Sequence, residues 1–139
     1  MAFESYSGFA QRYNMMIGIL LCAFLTTILF LILPSGLFFM ADMFLVVGNC
    51  IGLYITFKNR KESQSHIKTG IIVGLTGSVL SLLLIGFSQW VFHSLTYGFD
   101  FILFLDYILY LLIFTGIMYV LVGIILGYIF GNLYRNKEA

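Results

Sequence analysis

The sequence predicts an all-α polytopic membrane protein, a bundle of four transmembrane helices built from two helical hairpins. Three observations predict it. Apolar residues make up 61% of the 139 residues and charged residues 9%, against about 25% charged in an ordinary soluble domain. So few charges cannot cover a water-facing surface, and the bilayer must act as solvent. The apolar residues also fall into four runs, each long enough to cross a hydrocarbon core of about 30 Å. Finally, the 7 basic residues all fall on one predicted side: Arg12, then Lys58, Arg60, Lys61 and Lys68, then Arg135 and Lys137. The other side carries Asp42, Asp100 and Asp106 and no Lys or Arg. The positive-inside rule then places both ends and the middle loop in the cytoplasm of a cell-membrane protein.

The elements follow in order. Residues 1–14 mix polar residues with Phe3, Tyr6, Phe9 and Tyr13, and suit either a short amphipathic helix on the inner membrane surface or a loosely ordered cytoplasmic segment. The first span, 15–33, is too long for a cleaved signal core and ends at Pro34-Ser35-Gly36, so it reads as an uncleaved anchor. Proline fixes φ and glycine allows positive φ, which makes a tight turn and an adjacent, antiparallel second span over 37–57. The polar run Lys58 to Lys68 forms the inner loop. The third span, 70–92, ends on the interfacial pair Gln89-Trp90, and His93 to Asp100 is a polar connection that leaves both histidines in loops. The last apolar run, 101 to about 133, exceeds one perpendicular crossing. We place the span at 108–130, with a helical extension at its outer end. The transmembrane domain thus covers 15–133, and 134–139 is a cytoplasmic tail.

Each span repeats a small residue every fourth position. Gly18, Cys22 and Thr26 are followed by Gly48, Gly52 and Thr56, then Gly70, Gly74 and Ser78, then Gly123, Gly127 and Gly131. This spacing puts each set on one helix face and lets backbones approach, which is how helices associate in lipid. The turn geometry sets Gly18 and Cys22 level with Gly52 and Gly48, and Gly70 and Gly74 level with Gly123 and Gly127. Such ladders serve packing within one chain. The alternative, for the ladder of the last span, is an oligomer face.

Polar residues inside spans are the candidates for function. Asp42 lies about 7 Å into the second span by the helical rise, within reach of the outer headgroups. Asp106 lies closer still to that surface. Asn49 is deep, with Thr26 and Thr27 as partners by depth. These three could line a polar or ion path. No spacing suits a metal or a cofactor, no residues converge as a catalytic set, and the near-neutral charge excludes nucleic acid. Cys22 and Cys50 sit in apolar runs and read as small hydrophobes rather than a disulfide pair.

The passage from Val47 through the basic loop to Gly70-Ile71-Ile72-Val73-Gly74-Leu75-Thr76-Gly77 resembles small, uncharacterised prokaryotic four-helix membrane proteins, archaeal ones included. The resemblance implies the four-helix fold and no particular functional residue. The expected role is a non-enzymatic accessory or structural subunit, surrounded by membrane lipids and associating as a homo-oligomer or with a larger membrane complex. The alternative is an oligomeric small transporter or channel whose path passes Asn49 and Asp42.

Overall fold

The computed structural model describes residues 8–32 and 41–138, with the side chains of Ala41 and Asp42 outside that description. The expected Pro34-Ser35-Gly36 turn, the first half of the 1–14 segment and Ala139 also lie outside it. The described regular structure is entirely helical. Helix α1 spans Asn14–Ile32, α2 spans Ala41–Lys58, α3 spans His66–Tyr97 and α4 spans Phe101–Glu138. A short helical turn at 8–12 leads into α1, continued by bonds from Tyr13 N–H to the Phe9 carbonyl and from Ile17 N–H to the Tyr13 carbonyl. Helices α1, α3 and α4 are long and apolar enough to cross a membrane, and α2 adds the shorter apolar helix Met43–Lys58. The chain therefore has the make-up of a membrane helical bundle.

Two helices outrun their expected bounds. Helix α3 starts at His66, because Ser65 takes the extended N-cap conformation and no breaker follows before Gly70. It continues to Tyr97 and stops at Gly98, whose φ of 99° only glycine tolerates and whose N–H bonds the Ser94 carbonyl. The expected polar connection from His93 to Asp100 thus shrinks to 98–100, and His93 is helical rather than in a loop. Asp100 caps α4, its Oδ1 accepting from the N–H groups of Ile102 at 2.9 Å and Leu103 at 3.5 Å. From there α4 runs unbroken through the expected tail to Glu138, with one π turn at Leu112–Gly116. Arg135 and Lys137 in its last turn complement the negative end of the helix dipole.

Helix α3 touches the other three, α2 touches α1, α3 and α4, and α1 and α4 share no contact among the described residues. Two close antiparallel pairs result, α1 with α2 and α3 with α4. Glycine permits both approaches. A methyl group at Gly18 would strike Thr56 and the Gly52 carbonyl, and one at Gly48 would strike Thr26. Methyl groups at Gly70 and Gly74 would strike the carbonyl oxygens of Gly127 and Gly123, while one at Gly131 would sit 2.8 Å from Ile67 Cα. Apolar clusters fill the space that remains: Leu53, Phe57 and Val73 near the loop end, and Leu45, Leu82 and Tyr119 further along. Phe57 and Tyr134 stack at 4.8 Å between centroids. At the far end Trp90 donates to the Asp100 carbonyl at 2.8 Å and packs against Phe99 and Phe104.

Candidate functional site: a buried polar junction and a charged clasp

Two polar clusters stand out in this apolar chain. The first lies inside the bundle, where a polar group without a partner is costly to bury. Asn49 on α2 is 1% exposed and uses both ends of its amide. Its Oδ1 accepts from Cys22 Sγ on α1 at 3.1 Å, and its Nδ2 donates to Ser78 Oγ on α3 at 3.0 Å. Cys22 Sγ also lies 3.8 Å from Ser81 Oγ, which donates back to the Gly77 carbonyl at 2.7 Å. Gly77 makes room for the thiol: a Cβ there would sit 2.9 Å from the sulfur. One amide therefore joins three helices through short, uncharged hydrogen bonds.

The partners expected for Asn49, Thr26 and Thr27, are not the ones it has. Thr27 Oγ1 donates to the Ala23 carbonyl of its own helix at 2.7 Å. Thr26 is buried on the side of α1 that meets Gly48. Matching depths between two helices leaves the rotation of each undetermined, and it is Cys22 that faces the amide. Ser78 comes from a helix that depth matching within the first pair did not include. Its signal was present, as the hydroxyl member of the Gly70, Gly74, Ser78 series.

The second cluster closes the opposite, loop-bearing end. Asn14, at the start of α1, donates from Nδ2 to the Thr56 carbonyl at 3.2 Å and to Gln64 Oε1 at 2.9 Å. Gln64 Nε2 returns a bond to Asn14 Oδ1 at 3.3 Å, so the two amides pair reciprocally. Arg60 is held by the loop itself, Nη1 donating to the carbonyls of Lys61 at 2.9 Å and Gln64 at 2.5 Å. Its Nη2 reaches across to Glu138 Oε2 on α4 at 2.5 Å, and His66 Nε2 meets the same oxygen at 2.7 Å. The hydrogen bond with His66, then that with Arg60, holds the Glu138 carboxyl below the usual carboxylate range. His66, expected as a solvated loop residue, is instead the first residue of α3 and a partner of α4. These contacts gather Arg12, Lys58, Arg60, Lys61, Lys68, Arg135 and Lys137 at one end of the bundle. Asn14, Gln64 and Glu138 escaped the sequence reading because each lies outside the apolar runs, where polarity carries no surprise.

The remaining candidates are not brought together. Asp106 is exposed on α4 and makes no hydrogen bond to Asn49 or His93, while Asp42's side chain lies outside the described residues. The series Gly123, Gly127 and Gly131 faces α3 of the same chain, not an outer surface. Beside the π turn a cavity of about 320 Å³ is bordered by Ser78, Leu82, Leu112, Gly116, Ile117 and Tyr119. Its walls are apolar apart from hydroxyls, and that of Ser78 already accepts from Asn49. Comparisons with protein-family models, curated proteins and solved structures find no match for this chain.

Proposed function

We propose that the protein is a non-enzymatic subunit of the cell membrane that works by helix–helix association, with itself or with a larger membrane partner. In this reading α1–α2 and α3–α4 are two hairpins giving four spans, with both ends and the 59–65 loop in the cytoplasm. The gathering of every basic side chain at the loop end supports that orientation.

The observation that carries the proposal is the outer face of α4. Tyr110, Phe114, Met118, Leu121, Ile125 and Tyr128 recur at spacings of three and four and are each at least 48% exposed. Only 17% of the most apolar stretch of α4 is buried, against 50% for α3. The small residues that bring helices together are spent inside the chain, so association would use this stripe of large side chains, in the manner of knobs into holes. The alternative, a path past Asn49 and Asp42, has less support, because the Asn49 amide is engaged at both ends and shielded.

Photocrosslinking from position 118 in native membranes tests the proposal. A discrete adduct is expected, and it should be lost in the Phe114→Ala/Leu121→Ala variant. A chain that stays uncrosslinked at every α4 position of the stripe would refute it.

A further inference from the structure

We propose that Arg60 and His66 form a phosphate-binding site, whose anion position the Glu138 carboxylate holds in the resting protein. Three features of the loop end carry this. Two donors from different elements, Arg60 Nη2 and His66 Nε2, converge on a single oxygen, Glu138 Oε2. Arg60 is set in place independently of that carboxylate, by the Lys61 and Gln64 carbonyls, and its side chain is only 9% exposed. The site would therefore survive the departure of Glu138, whose own side chain is 47% exposed and free to swing into solvent.

The third feature points to the ligand. A guanidinium recognises oxyanions through a two-pronged edge made of Nε and Nη2. Glu138 fills one prong with one oxygen, while Arg60 Nε is buried and has no partner among the described residues. A tetrahedral phosphate monoester offers three oxygens. It can occupy both prongs and His66 together, which the carboxylate in its present pose does not. The neighbouring Lys58, Lys61, Lys68, Arg135 and Lys137 raise the local potential for such an anion. The phosphate could come from a lipid headgroup or from solution, and the chemistry of the site is the same for both. The inference does not depend on association through α4.

The full chain in phosphatidylcholine nanodiscs containing phosphatidic acid tests it, with retained phosphatidic acid counted by native mass spectrometry. Glu138→Gln should retain several-fold more than the unaltered chain. Adding Arg60→Lys, which keeps the charge but removes the fork, should abolish that gain, whereas adding Lys61→Gln should leave most of it. A parallel arm titrates inorganic phosphate into the Glu138→Gln protein in a phosphate-free detergent and follows the His66 ring resonances. A His66 response to inorganic phosphate marks soluble phosphate as sufficient, and a gain confined to nanodiscs marks the lipid headgroup. No gain in either arm overturns the proposal, as does a gain that persists with Arg60→Lys. Thermal unfolding of each variant, expected to remain a single cooperative transition at a somewhat lower temperature in Glu138→Gln, shows that the comparison is between folded proteins.

Discussion

Asn49 ties three helices together with one side chain. Removing it strands a thiol on α1 and a hydroxyl on α3 together. Asn49→Ala should cost about 1 kcal/mol, in the range of interhelical hydrogen bonds within membranes. Reversible unfolding in mixed micelles would measure it. Asn59→Ala, which removes only a bond to the Ile55 carbonyl of its own helix, should cost less. Glu138 makes the complementary case at the loop end. Its carboxyl titrates below its ordinary range when folded, because the ionised form accepts from His66 and Arg60. The folded state therefore gains stability from it above the ordinary carboxylate pKa of about 4.3, and loses that gain as pH falls through the lower folded value. Thermal unfolding followed between neutral and acidic pH should show a decline that is absent in Glu138→Gln. A decline of equal size in both would assign the acid sensitivity elsewhere.

At the scale of elements, glycine decides which helices can touch. The backbones of α3 and α4 meet so closely that a methyl at Gly74 would enter the Gly123 carbonyl, and one at Gly127 the Gly70 carbonyl. Backbone cannot give way as a flexible side chain can. Gly74→Ala and Gly127→Ala should each destabilise the protein by about 1–3 kcal/mol, the usual cost of overpacking. Gly8→Ala, with nothing within 4 Å of the added carbon among the described residues, should be neutral in the same assay. The four-residue spacing of these glycines was visible in the sequence, and it was enough to name the residues that lie between helices. The helix ends were less legible. The residues His66 to Thr69 and His93 to Tyr97 are polar enough to resemble loops, but none is a breaker, so helical hydrogen bonding continues until Ser65 and Gly98 end it. The π turn at Leu112–Gly116 had no sequence signal that period counting could register, since one extra residue in a helix leaves a fully apolar run looking the same.

For the whole molecule, the apolar composition and the four runs were sufficient to read helices long and apolar enough to cross a membrane. The hydrogen-bonded junction was not legible, because it depends on how four helices rotate about their own axes. A helix that is apolar on every side does not mark which face turns inward. At 1.5 Å per residue α3 and α4 extend about 48 and 57 Å, well beyond the hydrocarbon thickness. The surplus includes the aromatic end, where Trp90, Phe99 and Phe104 pack together.

That end holds the one tryptophan of the chain. Its indole N–H is tied to the Asp100 carbonyl across the α3–α4 connection, and its ring is walled by phenylalanines. The protein thus carries a built-in optical gauge, free of competing indoles, at the end of the bundle away from the loop clasp. Its emission wavelength reports local polarity at that one end. A change introduced at Glu138 that also moves the tryptophan signal has travelled the length of the bundle, and one that leaves it still has remained local.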